Sequence, residues 1–298
     1  PPILLYFATS FVPAGAAIGA LIAGPLAKHY GRRPSLIVTD LISILGICIE
    51  LISGEQFLLI GRLLCGLCAG LNCAHVPIYI VEVSPVNIKA VTVSLHQLFL
   101  SLGVFTSFLL GLTAPEDPQV NPMWWRIMLG LPLITITIRL LSLFGCFTKD
   151  SPKYCLSTNN EKDAQEALRR IYSESLSTEI YQSLKMHKAL LTEQAKWTYK
   201  DLISKRLRLR FYIGCAVSIL QQLIGLNIVT FYSNIIFEHN SGSPAQARID
   251  TSMVGIIKLV SAILSGYLIN NIGRRVVFIG GSITVTTILF SLTIVSNY

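Results

Sequence analysis

GPLAKHYGRR, Gly24 to Arg33, returns as GYLINNIGRR, Gly266 to Arg275. The pairs Gly24/Gly266, Leu26/Leu268 and Gly31/Gly273 all share one offset, 242 residues. Each copy follows an apolar run, closes in a tight turn with two arginines, and leads into another apolar run. A repeat this long marks two copies of one structural unit. The fold must therefore be argued from the apolar runs on either side of the two turns.

Composition says what surrounds those runs. Of the 298 residues, 52% are hydrophobic and 13% charged, with a mean hydropathy of +0.60. Soluble domains carry about 25% charged residues, so the chain reads as an all-α polytopic membrane protein with the lipid bilayer as partner. A net charge of +8 would suggest nucleic acid in a soluble chain. Here 13 of the 24 Lys and Arg fall between Thr148 and Arg210, and most others sit in short turns. That is a topology signal, and no nucleic-acid partner is expected.

A bilayer-crossing helix needs about 20 mostly apolar residues. Such runs lie near 10–27, 35–53, 57–81, 90–112, 125–147, 211–237, 251–270 and 276–296, predicting eight spans. Lys28, Arg32, Arg33, Lys89, the 148–210 segment, Arg274 and Arg275 then share one face, which basic residues mark as cytoplasmic. The opposite loops carry Glu55, then 114–119, then Glu238 to Asp250, and are poor in Lys and Arg. The repeat puts the first and seventh spans in equivalent places, so its unit is six spans. Inverted or parallel repeats of this kind are how two-fold transporters are built. The chain opens on Pro1-Pro2 and its last apolar run stops at Tyr298, which reads as an internal piece of a longer protein. Three parts follow: 1–147 with five spans, a helical cytoplasmic linker at 148–210, and 211–298 with three spans. In the linker, 160–171 and 175–191 have helical apolar spacing. The basic cluster Lys200 to Arg210 suits either anionic lipid or a gating role.

No reaction chemistry is legible. There is no P-loop or dinucleotide fingerprint, no ligand-spaced His, Cys and acid set, and hence no expected cofactor or metal. The cysteines (48, 65, 68, 73, 146, 155 and 215) mostly lie in or beside apolar runs, where a thiol packs as a small hydrophobe. Cys65 and Cys68 form a CxxC without a partner pair, which reads as packing. The chain is not expected to be an enzyme.

Four amides stand well inside spans: Gln97, Gln221, Gln222 and Asn227. A buried amide without a partner costs about 1–3 kcal/mol. Amides both donate and accept, as the hydroxyls of a neutral polyol require. Hydrogen bonding between helices is the alternative. Gln221 and Asn227 would lie about 120° apart on an ideal helix, so they converge only if the helix bends, and Gly225 between them is the place for it. Phe231 and Tyr232 follow and offer ring faces, or simply pack. Gly61, Gly66 and Gly70 are small enough for close helix approach.

Taken in order, seven blocks carry a resemblance: GPLAKHYGRR (24–33), GRLLCGLCAG (61–70), PIYIVEVSP (77–85), SLHQL (94–98), KDSPKY (149–154), QQLIGLNIVTFYS (221–233) and the second GRR. The chain resembles the sugar porters of the major facilitator superfamily, close to the animal facilitative glucose transporters, from that family's second helix to its ninth. The resemblance implies a major facilitator fold, incomplete, with about eight of twelve helices. It implies facilitative transport of a hexose or related sugar or polyol by alternating access, in a multi-pass protein of the plasma membrane. It also implies that Gln97, Gln221, Gln222 and Asn227 bind the sugar. Arg32, Arg33, Arg62, Glu82, Lys89, Lys153, Arg274 and Arg275 become candidates for ion pairs that close the cytoplasmic gate; positive-inside topology alone is the other reading. A sugar receptor that signals without transport, a carrier of another polyol or an anionic sugar, and a proton-coupled symporter remain open.

The chain departs from that pattern in four places. Lys258 lies inside the eighth helix of the family, where the glucose transporters have an asparagine that contacts the sugar. A central Lys costs about 2.5–3.5 kcal/mol on insertion scales, so it faces the cavity or snorkels outward, and it puts glucose in doubt. Lys28 and Asn270 stand where the turn motifs usually carry an acid, or, at Lys28, an acid or amide. Ser218-Ile219-Leu220 precedes Gln221 where the glucose carriers have Gln-Leu-Ser. The acid that proton-coupled relatives place in their first helix falls outside this sequence. Glu50, near the outer end of its span, is the deepest acid.

Overall fold

In hydrocarbon a backbone must satisfy its own amides, and helices are the way a single segment does so. The computed structural model describes residues 2–85, 88–115, 123–193, 207–241 and 243–296, and among these there is no strand. Thirteen helices follow one another: α1 (Pro2–Tyr30), α2 (Arg32–Glu50), α3 (Glu55–Val83), α4 (Lys89–Leu112), α5 (Trp124–Gly130), α6 (Pro132–Gly145), α7 (Pro152–Ser157), α8 (Glu161–Ile171), α9 (Glu174–Glu193), α10 (Arg208–Leu223), α11 (Leu226–Ser241), α12 (Pro244–Ile272) and α13 (Arg274–Ser296).

All eight predicted runs are helical. Two of them are pairs. Pro132 brings no amide hydrogen, so the span at 125–147 breaks into α5 and α6 around Leu131. Gly225, with φ +78, separates α10 from α11. Among the described residues six stretches are long and apolar enough to cross a membrane: Phe7–Tyr30, Glu55–Val83, Val91–Leu112, Trp124–Gly145, Arg208–Glu238 and Pro244–Ile269. α2 falls outside that set because Arg32, Arg33, Asp40 and Glu50 are within it. The apolar part of α13, Arg275–Ser291, is shorter. The repeat is visible in the backbone. Gly31 (φ 99, ψ 171) and Gly273 (φ 92, ψ 154) hold the same left-handed turn, which glycine alone adopts without strain.

The chain divides into two compact units, one of 1–93 with 117–195, the other of 94–116 with 196–298. Within the second unit, α4 from Ser94 onward packs along α12. Gly255 of α12 faces Phe105 and Phe108, and Gly266 faces Ser94.

In the first unit α1 packs on α3 along a seam of glycines. A Cβ on Gly15 or Gly19 would lie 2.3 and 2.1 Å from the carbonyl oxygens of Leu63 and Leu67. One on Gly66 or Gly70 would lie 2.3 and 2.0 Å from those of Val12 and Ala16. Such approach is the usual basis of helix association in lipid, where apolar burial gives no drive. Polar groups share the interior: Ser35, Thr39, Asp40, Ser43 and Glu50 lie on the buried face of α2 beside Leu36, Gly46 and Ile47. The hydroxyls of Ser35, Thr39 and Ser43 each donate to the carbonyl four residues earlier, at 2.5, 2.7 and 2.9 Å. Large apolar side chains such as Leu21 and Leu41 point outward, which suits lipid and not water.

In the linker, α8 and α9 fall where the helical spacing at 160–171 and 175–191 predicts them, and the short α7 precedes them. Cys155, Leu156, Ala164, Leu168 and Tyr181 make a small core, flanked by Tyr172, Ile180 and Leu184. Ser151 and Asn160 cap α7 and α8 by accepting from the amides of Tyr154 and Asp163. Of the basic cluster Lys200 to Arg210, residues 200–206 lie outside the described residues.

Candidate functional site

The Gly31 end of the first unit gathers several gate candidates. The Arg32 guanidinium grips Glu82 with two hydrogen bonds, Nε to Oε2 at 3.0 Å and Nη2 to Oε1 at 3.1 Å. Two parallel bonds of this kind are the strong geometry for an arginine–carboxylate pair. Arg32 also donates to the Ala27 carbonyl and lies over the Tyr154 ring. Glu82 accepts a further bond from the Ser151 hydroxyl at 2.5 Å. One carboxylate thereby ties the α1–α2 turn, the end of α3 and the start of α7.

Arg33 does something different. Its side chain donates to the carbonyls of Leu143 and Phe147 at 3.0 and 2.7 Å, closing the end of α6. Its amide donates to Asp150 Oδ1 at 3.1 Å. Gly31 has no side chain to cap α2, and Asp150, from the KDSPKY block, supplies the missing acceptor. Burial pushes the Asp150 carboxyl above its ordinary value, while the amides of Ser151 and Arg33 pull the other way.

Arg62 does not join this cluster. It shares α3 with Glu82 but stands 20 residues earlier, about 30 Å along the helix. Its partner is Glu50, with Nε 2.6 Å from Oε1. A cytoplasmic pairing of Arg62 is thus corrected: the sequence block places it at the start of its helix, and the start of α3 faces the end of α2. Lys89 and Lys153 are exposed, with no ion pair among the described residues. Arg275 is exposed; the side chain of Arg274, like that of Asn270, lies outside the described residues.

The substrate candidates all belong to the second unit. α10 ends at Leu223 and α11 begins at Leu226, so the left-handed Gly225 provides the bend the amides need. Across it Asn227 Nδ2 donates to Gln222 Oε1 at 2.8 Å. Gln97, Gln221, Gln222, Asn227 and Phe231 are exposed, and Tyr232 is half-buried. α11 packs on α12, and α4 runs antiparallel to α12. Gln97 lies one turn from Ser94 and Lys258 one turn from Gly255, both on the α4–α12 pairing. Lys258 is half-buried and has no ion pair among the described residues.

Sequence reasoning passed over one pair. Arg139, in the middle of α6, holds the fully buried Asp40 of α2 through Nε at 2.9 Å and through Nη2. The sequence carries half of the signal: a cation deep in an apolar run needs an acid, but which acid depends on which helices touch. This pair and Glu50–Arg62 flank one cavity of about 470 Å³ between α2, α3, α5 and α6. Among the described residues no His, Cys and acid group has the makings of a metal site.

Known proteins agree with this architecture. The family described as "Sugar (and other) transporter" matches residues 3–298. The glucose transporter GlcP of Staphylococcus epidermidis is 31% identical over 271 residues, 90% of this chain and 58% of the relative. The mouse facilitated glucose transporter member 7 is 29% identical, over 94% of this chain and 55% of its own. The chain thus spans little more than half the length of these curated relatives. Among solved structures, the proton:xylose symporter XylE bound to 6-bromo-6-deoxy-D-glucose superposes with a TM-score of 0.74 at 24% identity, covering 91% of this chain and 60% of that one. A partially occluded inward-open form of XylE from E. coli gives 0.72 at 23%, over 91% and 63%. Those likenesses carry the fold. With a helical, multi-pass membrane architecture and a family match over nearly every residue, the chain belongs to the sugar transporter family.

Proposed function

We propose that this chain is the central part of a facilitative carrier for a hexose or related neutral polyol, working by alternating access in the plasma membrane. One observation carries the reading. The break at Gly225 turns Gln222 and Asn227 toward each other at 2.8 Å, while the amides remain open to a ligand. An exposed amide pair exchanges its internal hydrogen bond for bonds to a sugar hydroxyl at little net cost, since the sugar likewise gives up water. No charge has to be desolvated. The glucose-transporting relatives support the substrate class.

On this reading the Arg32–Glu82–Ser151 knot holds the cytoplasmic end shut in one state and opens in the other, and bound sugar shifts the balance by its differential contacts. Lys258 favours a second substrate reading, an anionic sugar, because a half-buried cation with no acid partner among the described residues attracts a carboxylate.

The test is counter-flow by the full-length protein in liposomes. Labelled hexose should exchange, and Gln222→Ala should raise the half-saturation concentration. Exchange of a sugar acid in preference to hexose would favour the Lys258 reading. Binding without exchange would leave a receptor and end the transport reading.

A further inference from the structure

Two carboxylate–arginine pairs flank the same intramembrane cavity, and they are built differently. Asp40 is fully buried and takes two directed hydrogen bonds from Arg139, one to each oxygen. All its charge is matched. Glu50 is buried to 4% exposure beside an Arg62 that is 36% exposed. Their closest atoms, Oε1 and Nε, approach to 2.6 Å, yet neither takes part in a directed hydrogen bond. The other oxygen has only the Cys65 thiol, a weak donor, at 3.7 Å. Asn72 Oδ1, which lines the cavity, also lacks a partner. A buried carboxylate without good donors is unstable as an anion. A carboxylate held by a fork of two N–H groups is stable as one.

We propose that Glu50 is a proton-binding site, filled from the aqueous phase at the Arg62 end of α3, and that Asp40 is its permanently charged structural counterpart. The step is a simple one. A proton from water adds to a Glu50 oxygen, the ion contact to Arg62 breaks, and the guanidinium stays cationic. The pair goes from neutral to a single positive charge, and α2 is released from α3 at this end. The groups around Glu50 allow this. From α3 they are Arg62, Cys65 and the exposed Glu55. From α5, Arg126 donates to the Leu51 carbonyl and the Ser53 hydroxyl at 3.4 and 2.6 Å. From α6, Arg139 is committed to Asp40. α1 carries Lys28, His29 and Tyr30 at its opposite end. Gly61 lets α3 touch α2 here: a Cβ on it would lie 2.7 Å from the Glu50 Cβ. A change of charge on Glu50 is therefore felt directly by α3. An intramembrane ionisable group in a polar hollow is the usual seat of proton sensitivity in transporters.

The consequence for sugar exchange rests on the carrier reading above, so the test separates the two. Full-length protein in liposomes is titrated by infrared difference spectroscopy, which sees the protonated carboxyl directly. The same vesicles are assayed for counter-flow across the same pH range. A carboxyl band should grow on acidification and be lost in Glu50→Gln. Counter-flow should vary with pH in the wild type and become flat in Glu50→Gln. A band that survives in Glu50→Gln, or a variant that keeps the wild-type pH profile, overturns the proposal. A band that titrates and disappears with Glu50, in vesicles showing no counter-flow at any pH, sustains the proton site and removes the carrier reading instead.

Discussion

A Cβ placed on Gly31 would lie 2.1 Å from Asp150 Oδ2. The first repeat turn and the acid that caps its helix thus occupy one space, and the turn's φ of 99° adds a second reason for glycine. Gly31→Ala should strain the backbone by about 1–3 kcal/mol and push Asp150 off the Arg33 amide. The matching Gly273→Ala has an equal φ penalty but no atom within 4 Å of the added Cβ. Thermal unfolding of the two purified variants should therefore show the larger loss at Gly31.

Glu82→Gln keeps the shape of the knot and removes its charge. Hydrogen bonds to charged groups contribute about 1.5–3 kcal/mol, and the variant should lose stability of that order. On the gate reading, the cytoplasmic end also opens more often. A cysteine introduced as Lys153→Cys should then react faster with a membrane-impermeant thiol reagent in the Glu82→Gln background. Equal rates would assign the knot a purely structural role.

Gly225→Ala isolates the bend. No atom lies within 4 Å of the added Cβ, so the whole effect is the cost of φ +78, about 1–2 kcal/mol for an L-residue. Relaxing that angle separates Gln222 from Asn227. The half-saturation concentration for sugar should rise by about tenfold if that energy is taken from binding, with Asn227→Ala giving a similar shift. A lower maximal rate at constant half-saturation would place the bend in the cycle instead.

The linker has its own pH response. Lys149 donates to Asp163 at 2.5 Å and lies 3.2 Å from Glu166. The hydrogen bond that Lys149 donates holds the Asp163 carboxyl below its ordinary value of 3.8, and the same bond holds Lys149 above 10.5. For the acid, the stabilisation is complete above 3.8 and fades as pH falls through the depressed value. For the lysine it is complete below 10.5 and fades as pH rises through the elevated one. Hydrogen exchange in α8 should be slow between those limits and quicken outside them, and Asp163→Asn should quicken it throughout.

The sequence made the spans legible because membrane helices are long, apolar and separated by charged turns. It also made the bend legible, since glycine between two converging amides has few other uses. Pairings were harder. Glu50 and Arg62, or Asp40 and Arg139, are recognisable as pairs only when two helices are known to touch, and one chain read alone lacks that information. Arg62 shows the difficulty: it shares α3 with Glu82, but the two stand at opposite ends of that helix and meet different partners. Asp150 lies in the KDSPKY block, yet it caps α2 from 117 residues away.

The glycine seam between α1 and α3 has a mechanical meaning. Ridge and groove meet there at backbone carbonyls, with no side-chain cushion to deform. The two rods can neither slide nor roll against each other without separating outright. They turn as a single strut, which leaves flexing in this unit to its looser joints, such as the Glu50–Arg62 end where α2 meets α3.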